Sequence, residues 1–413
     1  MFISKIHRSF KVFFILSLSH IYINALQFFL FLYLANILSP EPYGFYIGTL
    51  LFSSIIYLIS DFGLSWSGVK YIATKKQNKR SISYFFWTCI FIQITIYFSC
   101  AAISLAIAVV TEIRKEYYFS LFSGLIIALC QIFTTTWFFN GLENPKAQAI
   151  PTMASKTLIF PLFIIFVNTG DDIHLALLFT ILSSALGVII NFWVIYSGKF
   201  INRPRLNFIY LNLIFRHNLG IFFSKSTISL KDYLTPLFVA NLLGTNSLGL
   251  FSMAEKVKTA ATSLTTPFAL TLFPKMSLFA VSDSILFNKI SLNLIICASL
   301  AMLPICLLLY FFNADIIFYT SGNNYSESAV ALGWMSPLPL LMVINNILGM
   351  QILIPKNKEE FFILSHFLGL IAGIVSAYYL IPINNIAGAS QSLLISEIFT
   401  TSLLFIFVLK VKN

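Results

Sequence analysis

The chain has 413 residues, of which 58% are apolar and 10% charged, with a mean hydropathy of +0.87 and a formal net charge of +11. Soluble globular domains carry about a quarter charged residues. The composition therefore excludes a soluble enzyme or binding module and predicts an all-α polytopic membrane protein.

At roughly 20 residues per crossing helix, the apolar runs predict twelve spans in chain order: 12–38, 43–67, 82–110, 117–140, 148–168, 174–198, 219–243, 248–274, 287–312, 328–354, 361–380 and 385–409. The loops between them are too short to hold a soluble domain. Lys and Arg are enriched in cytoplasmic loops of membrane proteins, and the basic residues here alternate from loop to loop accordingly. With a cytoplasmic N-terminus, nineteen fall inside, from Lys5, Arg8 and Lys11 through the 70–80 loop to Lys410 and Lys412. Only Arg114 and Lys115 fall outside, together with Glu41, Glu112, Glu116, Asp171, Asp172, Asp315 and Glu327. Both termini are therefore expected in the cytoplasm. The net charge needs no nucleic acid, and bilayer lipids with anionic headgroups are the partner it fits. The first apolar run is about twice the length of a signal-peptide core and has no small-residue cleavage site, so it is expected to remain as the first span.

Cys89, Cys100, Cys130, Cys297 and Cys306 lie inside spans without Cys-x-x-Cys spacing. Neither a disulfide framework nor a metal site is expected, and nothing in the sequence calls for a cofactor.

The stretch Leu34-Ala35-Asn36-Ile37-Leu38-Ser39-Pro40-Glu41-Pro42-Tyr43-Gly44-Phe45-Tyr46 returns 205 residues later as Val239-Ala240-Asn241-Leu242-Leu243-Gly244-Thr245-Asn246-Ser247-Leu248-Gly249-Leu250-Phe251. The same offset aligns Ser19-His20 with Ser224-Lys225 and Val69-Lys70 with Pro274-Lys275. Six spans per half make a parallel repeat, with an axis along the membrane normal and a substrate site expected between the halves. This predicts two pseudo-symmetric six-helix lobes, 1–205 and 206–413, joined through the basic loop around Asn202-Arg203-Pro204-Arg205. A plainer account is that small-Asn-Leu-Leu-turn-Gly is how helix hairpins end; the alignment of the cytoplasmic ends favours the repeat.

Pro42-Tyr43-Gly44-Phe45-Tyr46 through Asp61-Phe62-Gly63-Leu64 to Lys70-Tyr71-Ile72-Ala73 resembles the polysaccharide-export branch of the MOP superfamily, especially the Wzx-type O-antigen flippases. Leu248-Gly249-Leu250-Phe251, Ala254-Glu255-Lys256 and Leu272-Phe273-Pro274-Lys275 resemble the family's eighth helix, and Phe139-Asn140-Gly141-Leu142-Glu143 its turn between helices 4 and 5. The resemblance implies a MOP/MATE-like pair of lobes opening alternately to either side of the bacterial inner membrane. It implies an oligosaccharide on undecaprenyl pyrophosphate as cargo. A coupling ion, an O-antigen polymerase and a chain-length regulator are the further candidate partners. The peptidoglycan-precursor flippases carry two extra C-terminal helices that are missing here, which argues against that branch.

An ionisable side chain at bilayer depth costs roughly 2.5 to 3.5 kcal/mol on insertion scales and is a functional candidate by default. Nine occur: Lys225, Lys231 and Asp232 in the seventh span, Glu255, Lys256 and Lys258 in the eighth, and Asp61, Lys156 and Glu397 in the second, fifth and twelfth. Lys225 and Asp232 share a helix face, and Glu255 neighbours Lys258. Spans seven and eight keep an excess of two positive charges, which a pyrophosphate or acidic sugar would balance. These six residues, with His20 at the position equivalent to Lys225, are the candidate cavity lining. Asp61, Glu397 and Lys156 are candidates for gating or coupling, Glu397 as a protonation site. The competing reading is interhelical ion pairs that lock the second lobe, with Lys225 and Lys256 snorkelling. Pro236 and Pro267 are expected bending points, and Gly369-x-x-x-Gly373 a close packing motif.

An enzyme such as an O-antigen polymerase would show larger external loops with clustered charge, and no paired carboxylates, phosphate loop or catalytic triad is present. A multidrug or cation antiporter of the same superfamily would want acidic residues in its cleft, where this chain offers an excess of lysine.

Overall fold

The computed structural model describes residues 2–76, 78–112, 114–202, 208–263, 272, 276–280 and 284–412, with side chains for all of these except 2–17, 20, 116, 145, 208–210, 212, 213, 216, 217, 224, 284 and 412. Among them every regular element is a helix. The first half runs α1 (Phe2–Ile37), α2 (Pro40–Asp61), α3 (Leu64–Thr74), α4 (Lys79–Val110), α5 (Lys115–Phe133), α6 (Thr136–Gly141), α7 (Pro145–Phe166) and α8 (Ile173–Ser197). The second runs α9 (Phe208–Ser263), α10 (Ser284–Phe311), α11 (Asn313–Ser321), α12 (Ser328–Met335), α13 (Leu338–Asn346), a π-helix (Ile347–Leu353) and α14 (Glu359–Lys412). The linker residues Arg203, Pro204 and Arg205, together with Pro267, Pro274 and Lys275, lie outside the described residues, as does the side chain of His20.

The helix starts follow from local chemistry. Asn78 and Asn144 cap α4 and α7, accepting from the backbone N–H of Ser81 at 3.0 Å and of Ala147 at 3.2 Å. Pro145 occupies the first turn of α7, where no backbone donor is lost. Thr169 and Asp172 form a reciprocal capping box ahead of α8.

Nine stretches among the described residues are long and apolar enough to cross a membrane, and the protein is a multi-pass membrane protein. Twelve were expected. Asn218–Ser263 and Glu359–Val411 run for 46 and 53 residues, about twice a single crossing. Each is broken at one residue with non-helical backbone: Gly244 (φ 85°), in the turn predicted between spans seven and eight, and Asn385 (φ 52°), the predicted first residue of span twelve. Ile21–Ile37 is apolar but shorter.

Two compact units divide the chain: residues 1–30 with 46–226, and residues 31–45 with 227–413. In the first, Phe85, Phe86, Trp137, Phe138 and Phe139 build a buried aromatic core with Leu64 and Ile72, and Tyr71 stacks on Phe85 with centroids 4.0 Å apart. The second is centred on Met276, Phe287, Met302, Leu348, Leu353 and Leu404. In that unit the Gly369-x-x-x-Gly373 face of α14 packs on the same helix beyond its break. A Cβ at Gly369 would overlap the Thr400 hydroxyl, and Ser396 donates to the Gly369 carbonyl at 2.8 Å. Gly369→Leu is therefore expected to force these segments apart and lower the unfolding temperature in detergent, whereas leucine at Gly170, where a Cβ meets open space, should change it little.

The five cysteines are free thiols, and the described residues contain no cluster of His, Cys, Asp and Glu suited to a metal ion.

Candidate functional site

The intramembrane charges sort into specific pairs. Asp61 ends α2, followed by Phe62 and Gly63, both in left-handed backbone (φ 48° and 73°). A Cβ at Gly63 would lie 2.9 Å from the backbone nitrogen of Phe222, so the close approach of α9 needs glycine there. Phe62 stacks on Phe215 and Phe222. This break turns the Asp61 carboxylate toward the start of α3, where it accepts from the Ser65 hydroxyl at 2.9 Å and the Ser65 N–H at 3.4 Å. Gln93 of α4 donates to its other oxygen at 3.3 Å. Lys225 of α9 completes the set at 2.7 Å from Asp61 and also donates to Ser65. Asp61 is wholly buried, and a buried charge is tolerable when paired and surrounded by donors in this way.

Lys231, six residues further along α9, serves the second unit. It is buried and lies 2.7 Å from Glu397 of α14, with a further bond to Thr400 at 2.9 Å. Asn345, the last turn of α13 before the π-helix, donates to the second oxygen of Glu397 at 2.6 Å. Lys231 also lines a small pocket with Thr235, Phe238, Gly373 and Ser396. Asp232 is exposed beside it and forms no ion pair among the described residues.

Glu255 and Lys258 stand 3.8 Å apart within the second half of α9, the spacing expected of neighbours three residues apart. The ammonium of Lys256 lies over the Phe31 ring, 4.3 Å from its centroid, a cation–π contact. Lys156 of α7 donates to the neutral side-chain oxygen of Gln27 at 2.7 Å and pairs with no carboxylate among the described residues.

Five lysines and four carboxylates thus lie within the predicted spans. Asp61 and Glu397 supply the counter-charges for two of the four lysines on α9. Sequence reasoning singled out the charged groups and missed the pairings Asp61–Lys225 and Lys231–Glu397, together with the neutral partners Ser65, Gln93, Thr400 and Asn345. The amides Gln93 and Asn345 stand out as polar residues inside apolar runs, and that was the available signal; the two hydroxyls gave none.

The fold is similar to that of solved transporters of the MOP superfamily. It matches an inward-facing multidrug resistance MATE family transporter of that superfamily with a TM-score of 0.73 at 12% identity, over 95% of this chain and 97% of the other. The lipid II flippase MurJ in its inward closed conformation matches with a TM-score of 0.74 at 14% identity, over 96% and 87%. The chain belongs to the polysaccharide biosynthesis protein family, whose pattern covers residues 9–279. A curated relative from Escherichia coli (strain K12), named "Putative O-antigen transporter", is 25% identical over 389 residues, spanning 92% of this chain and 91% of the relative.

Proposed function

We propose that this protein is a flippase that moves undecaprenyl-pyrophosphate-linked O-antigen units from the cytoplasmic to the periplasmic leaflet of the bacterial inner membrane by alternating access. The observation that carries the reading is the similarity, over nine-tenths of both chains, to a relative named "Putative O-antigen transporter", within a family of polysaccharide biosynthesis proteins. Twelve spans in two lobes, 1–205 and 206–413, with both termini in the cytoplasm, are the topology that goes with it. The breaks at Gly244 and Asn385 and the distribution of lysine and arginine support that topology.

The ionisable lining favours an anionic cargo. Of the four intramembrane carboxylates, Asp61, Glu255 and Glu397 each lie within ion-pair distance of a lysine among the described residues, and Asp232 feels the charges of Lys258 and Lys231 at longer range. Lys156 and Lys256 add positive charge held by neutral groups. A carrier of cationic drugs, the reading to which the MATE-like fold lends some support, requires the opposite balance. No residue of the lining is assigned a catalytic role, since moving a lipid-linked sugar makes and breaks no bond.

The test is the lipopolysaccharide of a strain lacking this chain, resolved on a gel, together with the leaflet in which the lipid-linked oligosaccharide collects. Loss of all O-antigen bands, with the intermediate held on the cytoplasmic face, is the expected result. Bands bearing a single unit would point to a polymerase, and an unchanged ladder to the drug carrier.

A further inference from the structure

The nine intramembrane charges divide unevenly between the two compact units. In the second, Lys231, Lys256 and Lys258 are matched in number by Asp232, Glu255 and Glu397. In the first, Lys225 is paired with Asp61 at 2.7 Å, and Lys156 has no acidic counterpart. The one positive charge in excess over the whole set therefore falls in the first unit, at Lys156.

The groups around this lysine are polar and neutral. Its ammonium donates to the Gln27 side-chain oxygen at 2.7 Å. On the next residue of α7, the Thr157 hydroxyl lies 2.8 Å from the hydroxyl of Tyr22, which precedes Gln27 on α1. Tyr22 and Thr157 are exposed, and Lys156 and Gln27 are half-buried, so a ligand can reach all four. Gln27 sits close to the middle of the first predicted span, 12–38, so the ammonium is held at depth and does not snorkel to a headgroup. Packing alone gives no reason for a charge here. A neutral donor would satisfy Gln27 equally well, and an ammonium without a counter-charge is costly inside a membrane. The bond to Gln27 engages one of its three N–H donors among the described residues.

We propose that Lys156, Gln27, Tyr22 and Thr157 form a subsite for the sugar part of the cargo, with the ammonium taking the carboxylate of an acidic sugar, on the reading above that the cargo is a lipid-linked saccharide. Charge decides between the two anionic groups such a cargo can carry. One uncompensated ammonium balances one carboxylate, whereas a diphosphate bears more than one negative charge and would leave the remainder unbalanced at depth. The other three side chains complete a set suited to carbohydrate: an amide with donors and an acceptor, and two hydroxyls that each donate and accept. Tyr22 adds an aromatic ring, apolar over its body and polar at its tip. The O-antigen that this chain delivers is accordingly expected to contain an acidic sugar.

The experiment measures binding of sodium glucuronate, glucose and inorganic pyrophosphate to the purified full-length protein in detergent at constant ionic strength, read as the rise in unfolding temperature with ligand concentration. Glucuronate is expected to bind about ten- to a hundredfold more tightly than glucose, the range for one charge-assisted hydrogen bond. Lys156→Gln should reduce glucuronate to the level of glucose, and Lys156→Arg should keep the preference. Equal binding of the two sugars, or a preference that survives Lys156→Gln, overturns the subsite. Lys156-dependent binding of pyrophosphate without glucuronate also overturns it, by giving the ammonium to the phosphate end. Cells separate the subsite from the flippase reading. If a strain lacking the chain loses its O-antigen and Lys156→Gln, expressed normally, restores the full ladder, the subsite falls and the flippase stands. A Lys156-dependent preference for glucuronate, with an unchanged ladder in the deletion strain, supports the subsite and refutes the cargo.

Discussion

Glu397→Ala is expected to destabilise the protein by about 3–5 kcal/mol, the usual consequence of leaving one partner of a buried ion pair without its counter-charge. Lys231 would be the stranded group: it is 8% exposed and, among the described residues, keeps the Thr400 hydroxyl as its remaining hydrogen-bond partner. Asn345, which donates to Glu397 at 2.6 Å, would lose its acceptor at the same time. Thermal unfolding of the purified protein in detergent measures the loss. Replacing both charges, as in Lys231→Met/Glu397→Leu, should recover most of the stability, because well-packed apolar pairs often equal or exceed buried ion pairs. Transport then separates the two roles of the pair. A stable double variant that still carries O-antigen makes Lys231–Glu397 a structural lock, and a stable one that does not makes it part of the cargo or coupling path. A single variant that unfolds within about 1 kcal/mol of the parent would mean that the pair is open to water, since exposed pairs contribute about that much or less.

The Asp61–Lys225 pair should respond differently to exchange. Asp61→Ala is expected to cost about 3–5 kcal/mol by the same mechanism, yet the reversed pair Asp61→Lys/Lys225→Asp should not rescue it. The reason is geometric: the Ser65 N–H, the Ser65 hydroxyl and the Gln93 amide all donate toward residue 61, and an ammonium placed there would meet donors where it needs acceptors. Asp61→Asn/Lys225→Gln keeps an acceptor at residue 61 and removes both charges, and should be the most stable of the three. Unfolding temperatures of the three variants, ranked against the parent, test the order. Full rescue by the exchange would mean that the charge pair, and not the oriented donors, holds the junction of α2, α3 and α9. The break that presents Asp61 depends on Gly63, whose left-handed backbone and contact with Phe222 leave no space for a side chain.

What the amino-acid sequence determined by itself is set by solvent and by the length of an apolar run. The membrane class, the helical fold, most of the spans and the family were legible, because a lipid-exposed backbone must satisfy its own hydrogen bonds and a crossing helix needs a fixed length. The nine intramembrane charges were legible for the same reason, since charge inside an apolar run stands out. The repeat between residues 34–46 and 239–251 was visible as letters. Its physical meaning, glycines placed where two backbones meet, needed the fold. Partner choice was decided by tertiary structure alone: Lys225 takes Asp61 from 164 positions away, and Lys231 takes Glu397 across 166. Helical spacing reports only neighbours three or four residues apart, so it found Glu255–Lys258 and was silent on the long-range pairs. The ends of helices followed the same division. Asn78 and Asn144 announce their caps locally, whereas the continuity of α9 and α14 through single residues at Gly244 and Asn385 depends on how the flanking helices pack.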